Sequence, residues 1–145
     1  MDRAQVARVA LSTLCALQGL ATVAIHCNRT HATNPSWTGH ARYHVVWQSA
    51  SVALMSVVEL SLVWSRGPWE REAFYLASVL AAMSPLGFMA AFVSRRMYGG
   101  SLFDPNGVPP LRVRFRGKVR SVDMNFFVVT TALFALAAID AIYVS

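Results

Sequence analysis

Residues 45–64 read VVWQSASVALMSVVELSLVW, and this stretch decides the fold class. It is apolar over most of its length, with Gln48, four serines and a single acid, Glu59, as its polar residues. A helix of about 20 residues, rising 1.5 Å per residue, spans the roughly 30 Å hydrocarbon core of a bilayer. The stretch therefore predicts a transmembrane helix.

Three further apolar runs of similar length lie outward from this one, at residues 6–25, 74–93 and 124–144. The chain of 145 residues is 55% hydrophobic and only 14% charged, so little remains for a soluble domain. The length also excludes two ordinary domains. We predict one all-α integral membrane domain, a four-transmembrane-helix bundle with a basic, partly extended loop between helices 3 and 4.

Basic residues are distributed unequally between the two sides of the predicted bundle. The connections after spans one and three carry nine arginines and lysines, whereas the N-terminal segment and the connection after span two carry four. Cytoplasmic loops carry the excess of positive charge in membrane proteins. The histidine loop after span one and the basic loop are therefore predicted to be cytoplasmic, with both termini outside.

The connection between the first two spans is predicted to be a structured turn. Pro35 disfavours a helical conformation in Asn34 and has no amide hydrogen to donate, so Asn34-Pro35 interrupts any helix. Thr38 or Gly39 then caps a new helix that begins near His40. This helix is expected to continue without interruption to about residue 64.

All four histidines lie close to this connection, at His26, His31, His40 and His44. His40 and His44 are one helical turn apart, a spacing that suits two ligands of a metal ion. Three interpretations stay open at this point. The histidines form a transition-metal site through His31, His40 and His44, bond to loop carbonyls and headgroups, or act in acid/base chemistry.

Span one carries a polar seam at helical spacing. Cys15, Gln18, Thr22 and His26 recur at intervals of three, four and four residues, which places them along one helix face. Polar groups that face lipid are costly, so this face is predicted to look into the bundle. It serves either as a source of hydrogen bonds between helices or as the wall of a site.

Span two carries a second, longer polar stripe. Its members are His40, His44, Gln48, Ser51, Met55 and Glu59, which step by four, four, three, four and four residues. We predict that this stripe faces inward and leads from the membrane surface to Glu59. An intramembrane carboxyl is a functional-site hypothesis by default. Glu59 is either a neutral group bonded to a neighbouring helix, or a proton donor, proton acceptor or ligand.

The basic loop covers residues 95–120, with turn residues at Gly99-Gly100 and at Asp104-Pro105-Asn106-Gly107. In LRVRFR, residues 111–116, apolar and cationic side chains alternate, which predicts a strand with one apolar and one cationic face. The cations predicted to contact anionic lipid or phosphate are Arg95, Arg96, Arg112, Arg114, Arg116 and Lys118. Recognition of an anionic substrate group is the alternative.

Two acids flank the fourth span. Asp123 precedes its first turn, where an acid is favourable for the helix dipole and for capping. Asp140 lies near the far end of the span, where water still has access, and is a weaker functional hypothesis.

The stretch THATNPSW, residues 30–37, followed by HARYH, residues 40–44, resembles a sequence pattern of another group of proteins. The group consists of small bacterial and fungal membrane proteins with four spans, which share a Thr-His, Asn-Pro-x-Trp and His-Ala-Arg-aromatic-His signature. The resemblance implies a four-span fold with its focal site at this stretch. A likeness in architecture alone extends to membrane sterol isomerases and terpene cyclases.

The leading functional hypothesis is an intramembrane enzyme that acts by acid/base chemistry on a lipophilic substrate, isoprenoid or sterol-like, in a cavity between helices 1 and 2. Its catalytic residues would be Glu59, His44, Gln48 and His40. Its substrate-binding residues would be His26, His31, Gln18, Trp47, Trp64 and Asn34. The alternatives are a noncatalytic subunit or partner-binding protein, and a metal-binding protein. Predicted partners are membrane lipid, the substrate and a second copy of the chain, and not nucleic acid.

Overall fold

The structure is a computed structural model that describes residues 1–104 and 108–144. These residues form α1 (Arg3–His26), α2 (Gly39–Val63), α3 (Glu70–Ser94), a 3₁₀ turn (Arg95–Met97), β1 (Leu111–Phe115), β2 (Lys118–Val122) and α4 (Met124–Val144). All four α-helices are long and apolar enough to cross a membrane, which confirms the prediction of four long apolar helices. The predicted turn at Pro105, Asn106 and Gly107 lies outside the described residues.

Side-chain caps fix where three of the helices begin. The Thr38 hydroxyl accepts a hydrogen bond from the Ala41 amide at 3.2 Å, which confirms the predicted start of α2. The Asp123 carboxylate accepts from the Phe126 amide at 2.9 Å, so its predicted role at the start of α4 is also confirmed. At the N-terminus, Asp2 caps α1 in the same way. Each cap satisfies an amide that has no partner within its own helix.

The helices pack antiparallel to their neighbours in sequence. In α1 and α2, Arg8 contacts Val63 near one end of the pair and Cys15 contacts Ser56 further along. In α3 and α4, the rings of Phe74 and Tyr143 stack at one end, and Phe92 meets Phe126 at the other. One end of the bundle, the terminal end, therefore holds both termini and residues 64–69. The opposite end, the loop end, holds residues 27–38 and the β1–β2 hairpin.

Large apolar side chains point away from the bundle on every helix. Leu20 is 72% exposed, Leu54 70% and Phe134 73%. Contiguous exposed apolar surface of this extent is unfavourable in water. It is the surface expected of helices surrounded by hydrocarbon, which is as apolar as the side chains themselves.

Strands β1 and β2 form an antiparallel hairpin, which confirms the predicted strand in the basic loop. The two-residue turn between them, Arg116-Gly117, has positive φ at both positions, 48° and 77°. Turns of this kind match the right-handed twist of a hairpin. The pairing places Lys118 opposite Phe115 and Arg120 opposite Val113. The predicted separation into an apolar and a cationic face is therefore wrong, because paired residues share a face and cations occur on both.

Candidate functional site

Glu59 is enclosed between α1 and α2. The residue is only 2% exposed, and the Cys15 thiol is a hydrogen-bond partner of its carboxyl group. Its Oε2 atom is buried and makes no hydrogen bond within residues 1–104 and 108–144. A buried polar atom without a partner is uncommon in a native protein and calls for an explanation. Glu59 is thus a buried carboxyl group with one oxygen that lacks a hydrogen bond, and it lies in the interior, as the sequence predicts.

A close helix-to-helix contact lies one turn further toward the loop end. The Ser56 hydroxyl donates a hydrogen bond to the Cys15 carbonyl at 2.7 Å. A Cβ atom added to Gly19 would lie 2.7 Å from Ser56 Oγ and 2.8 Å from Ser56 Cβ. Small residues allow helix backbones to approach closely in this way. The contact fixes which face of α2 meets α1.

The prediction that the polar stripe on α2 faces inward is wrong for most of its residues. His40, His44, Gln48, Ser51 and Met55 are exposed, and only Glu59 of the six predicted members is buried. The buried residues of α2 are Ser49, Ser56, Glu59 and Val63. Glu59 lies about 60° round the helix from His44, so the face that meets α1 includes the acid and leaves the histidine outside.

The seam predicted on α1 is only partly correct. Cys15 is buried, but Gln18, Thr22 and His26 are half-buried at the margin of the contact. The buried face of α1 consists instead of Ala7, Arg8, Leu11, Cys15 and Gly19. It is displaced toward the N-terminus relative to the predicted seam and ends at Gly19, which contacts Ser56 of α2.

The four histidines form two separate pairs. His40 and His44 are exposed on α2, with their Nε2 atoms 3.1 Å apart and Trp47 beside them. His31 contacts His26 instead, at 4.9 Å between ring centroids. No group of three or more histidine, cysteine or acidic side chains suited to a metal ion occurs in the described part of the chain. The suggested triad of His31, His40 and His44 is therefore not assembled.

Asn34 organises the histidine loop. Its side chain is buried, donates to the Thr30 carbonyl at 3.2 Å and accepts from the Ser36 amide at 3.0 Å. The ring of Trp37 packs edge-on against His31, whose Nδ1 atom lies 2.8 Å from the Thr30 hydroxyl. Asn34 therefore has a structural role in the loop, and its contact with a substrate stays a prediction.

Acidification is expected to destabilise this loop. Burial lowers the pKa of His31 below its usual value, against the opposing effects of the Ile25 carbonyl and the Asp104 carboxylate. At acidic pH the folded loop therefore binds fewer protons than the unfolded chain. The contribution of neutral His31 to the free energy of unfolding is complete above about pH 6.5 and decreases as the pH falls through the lowered pKa.

The measurement is amide hydrogen exchange of residues 27–38 as a function of pH, corrected for the intrinsic exchange rate. We expect His31→Gln to remove most of the pH dependence, whereas substitution of the exposed His40 by Gln leaves it in place. An unchanged pH profile in His31→Gln would contradict the assignment.

The substrate-binding residues predicted from sequence do not form one site. Trp64 lies at the terminal end, where its indole nitrogen donates to the Ser12 hydroxyl at 2.9 Å. Asn34 and His31 lie at the loop end, and Trp47 is exposed on the outer face of α2. The two ends of the bundle are separated by the length of a helix, so these side chains cannot enclose a common ligand.

Arg8 is the main polar residue of the interior that the sequence analysis missed as a site. It is 3% exposed and donates hydrogen bonds to the Val63 carbonyl and to the Tyr143 hydroxyl, the latter at 3.2 Å. Its guanidinium lies 3.7 Å from the Glu70 carboxylate and over the Tyr143 ring. Phe74 stacks on the Tyr143 ring as well, with the two ring centroids 3.8 Å apart. One arginine therefore connects all four helices.

A signal for this role exists in the sequence. Arg8, Leu11, Cys15 and Gly19 recur at intervals of three, four and four residues, so they share one helix face with the predicted seam residue Cys15. Nothing in the local sequence specifies the acceptors, which come from three other helices.

Asp140 belongs to the same end of the bundle. The Ser78 hydroxyl donates a hydrogen bond to its Oδ2 atom at 3.0 Å. Its Oδ1 atom is buried and has no partner among the described residues. Asp140 and Glu59 thus present two carboxyl groups, each with one unpaired oxygen, in separate places along the interior.

Two cavities occupy opposite ends of the bundle. The cavity at the terminal end, of about 320 Å³, is lined by Asp2, Ala4, Gln5, Arg8, Arg66 and Glu70. The cavity at the loop end, of about 100 Å³, is lined by Phe88, Ala91, Phe92, Arg95, Tyr98, Ser101 and Leu102. Glu59 and His44 line neither of them.

The basic residues of the loop end differ in their surroundings. Arg95 donates to the Phe92 carbonyl at 2.6 Å and covers the Phe92 ring, so it is held against α3. Arg96 is exposed beside it. Arg112, Arg114 and Lys118 project from the hairpin, whose residues 111–121 are all exposed.

Comparisons with protein-family models, with curated proteins and with solved structures returned no match to this chain. The resemblance of residues 30–44 to a family signature is therefore supported by the sequence pattern alone.

Proposed function

We propose that this chain is an integral membrane protein that acts as a noncatalytic subunit, and that the outer face of α2 binds a transmembrane helix of a partner. The observation that carries the proposal is the outward orientation of His44, Gln48 and Ser51. Polar side chains that face hydrocarbon are costly, whereas the same side chains hold helices together when a neighbouring helix covers them.

The position of these residues favours a covered face. Ser51 lies six residues beyond Val45, or about 9 Å along the helix axis, inside the apolar part of α2. Other outward hydroxyl groups bond to their own helix, as Ser61 does to Val57 and Thr131 to Phe127. Gln48 and Ser51 form no such bond within the described residues, so their polar atoms are available to a partner helix.

The orientation in the membrane follows from charge. The loop end carries the β1–β2 hairpin with its five cations, and the terminal end carries fewer basic residues. Under the positive-inside rule the loop end is cytoplasmic and both termini are outside. A partner that contacts His40 and His44 would then do so near the cytoplasmic surface.

Cross-linking from an engineered cysteine tests the partner face. In protein that also carries Cys27→Ser, we expect Ser51→Cys labelled with a thiol-reactive photo-cross-linker to form a larger covalent species when membranes are illuminated. Thr131→Cys on the outer face of α4 is the matched control and is expected to remain monomeric. Gln48→Leu is expected to weaken the assembly several-fold, since hydrogen bonds between membrane helices contribute about 0.6 to 1.7 kcal/mol. Equal cross-linking from both positions, or none from either, would contradict the proposal.

A second function is favoured by one specific observation, the unpaired Oε2 of Glu59. In an intramembrane isomerase, this carboxyl would add a proton to one carbon of an isoprenoid double bond and remove a proton from a neighbouring carbon. The double bond then shifts its position and the carboxyl group regains a proton. The substrate neither gains nor loses atoms or electrons overall. His44, His40 and Gln48 have no part in this version, because they are exposed on the outer face.

Glu59→Gln separates the two functions, because it keeps the shape of the side chain and removes its acid. If Glu59 is catalytic, mass spectrometry of lipids from cells that produce the parent protein is expected to show an isomerised lipid. The rate of its formation should fall at least about 10²-fold in the variant, the lower end of the range for general acid/base catalysis. Glu70→Gln is the control and should retain the product. Identical lipid profiles for the parent and Glu59→Gln would eliminate the isomerase.

A further inference from the structure

The hairpin of β1 and β2 concentrates positive charge at the loop end. Residues 111–122 contain five cations and no acid, and the cations are Arg112, Arg114, Arg116, Lys118 and Arg120. Residues 111–121 are all exposed, and Val122 is half-buried. A surface of this composition attracts anionic groups over about a Debye length, 8 Å at physiological salt.

The two faces of the hairpin differ in character. One face presents Leu111 with Val122, Val113 with Arg120, and Phe115 with Lys118, as directly paired residues. The other presents Arg112 with Ser121 and Arg114 with Val119. The first face is an amphipathic surface, in which exposed apolar side chains alternate with long cationic ones that can extend toward its edge.

The hairpin is tied closely to a membrane-spanning helix. β2 ends at Val122 and α4 begins at Met124, with Asp123 as the cap between them. A strand of five residues is about 16 Å long, whereas the headgroup layer on each side of a bilayer is only about 5 to 8 Å thick. A hairpin that lies flat keeps all five cations in that layer, and an upright one does not.

We propose that the β1–β2 hairpin lies on an anionic bilayer surface, with Leu111, Val113 and Phe115 inserted at the level of the headgroups. Lys118 and Arg120, on the same face, contact lipid phosphates and carboxylates, while Arg112 and Arg114 on the other face interact with the surrounding headgroup layer. This surface is separate from the outer face of α2. The proposed position of the hairpin rests on the membrane location proposed for the four helices.

The test uses the full chain with Cys27→Ser, reconstituted in nanodiscs of phosphatidylcholine with or without phosphatidylserine. An environment-sensitive fluorophore is attached at Val113→Cys, on the face that carries Leu111 and Phe115, or at Ser121→Cys, on the opposite face. We expect a blue shift at position 113 that requires phosphatidylserine and decreases with added salt. The shift at position 121 is expected to be small under all conditions.

Variants with altered charge test whether the shift at position 113 depends on the cations. Replacement of all five cations by Gln is expected to abolish the shift at position 113, whereas replacement of the four arginines by Lys retains it, since the charge persists. The same shift in neutral nanodiscs, equal shifts at both positions, or a shift caused by RNA in neutral nanodiscs would each overturn the inference. Protein that fails to enter nanodiscs would refute the membrane location itself, and a missing cross-link at Ser51→Cys would refute only the partner face.

Discussion

Replacing Arg8 with alanine is expected to lower the free energy of unfolding of the bundle by about 3 kcal/mol. The substitution removes two hydrogen bonds from a charged donor, to the Val63 carbonyl and the Tyr143 hydroxyl, and the interaction with Glu70. It also leaves a cavity where the side chain was, since Arg8 is 3% exposed. Reversible unfolding in mixed micelles of mild detergent and dodecyl sulfate measures the effect.

Two matched variants separate the contributions to this loss. Arg66 also pairs with Glu70, with its Nη1 atom 3.9 Å from Oε2 of the carboxylate that Arg8 contacts. The Arg66 side chain, however, is 68% exposed. Arg66→Ala is therefore expected to cost less than about 0.5 kcal/mol, as exposed ion pairs generally do. Arg8→Met fills the volume without the charge, and it should recover part of the loss because burying a guanidinium is itself costly. Equal losses for Arg8→Ala and Arg66→Ala would show that the buried contacts contribute little.

Gly19→Ala is expected to cost about 2 kcal/mol, although alanine is the better helix former. The added methyl group would lie 2.7 Å from Ser56 Oγ, well inside van der Waals contact, so α1 and α2 must move apart. Their separation also lengthens the hydrogen bond from the Ser56 hydroxyl to the Cys15 carbonyl. The gain of up to about 1 kcal/mol in helix propensity offsets only part of this cost.

A compensating substitution makes the Gly19 prediction specific. Ser56→Gly removes the atoms that the new methyl group would meet, so the double variant should show a favourable coupling of about 1 kcal/mol in a double-mutant cycle. Gly87 is the control, because a Cβ there meets no atom within 4 Å. Gly87→Ala should be neutral or slightly stabilising. A destabilised Gly87→Ala, or strict additivity for Gly19 and Ser56, would count against this contact.

Local chemistry in the sequence was enough for the four helices and for the strand at residues 111–116, whereas the second strand, Lys118–Val122, was not predicted. Long apolar runs specify helices, and the caps at Thr38 and Asp123 come from side chains next to the amides they satisfy. The alternation in residues 111–116 likewise specifies a strand. The distribution of cations over the two faces of the hairpin was not predictable, because it depends on the register with residues 118–122 across the Arg116-Gly117 turn.

The candidate site was predictable only in part. Glu59 was identified because an acid within an apolar run is costly wherever it lies. The residues grouped with it were wrong, since helical spacing reports which side chains share a face but not whether that face is inside. Arg8 was missed for a related reason, because its partners Val63 and Tyr143 are distant in sequence.

Four apolar helices, their approximate limits and one strand within a basic loop are therefore predictable from the sequence alone. Which face of each helix is buried depends on tertiary contacts, namely that of Gly19 with Ser56 and those of Arg8 with three other helices. The physical reason is that hydrocarbon is as apolar as a protein interior, so hydrophobicity does not distinguish the inner from the outer face of these helices. Close packing of small residues and the pairing of buried polar groups make that distinction, and both depend on residues far apart in the chain.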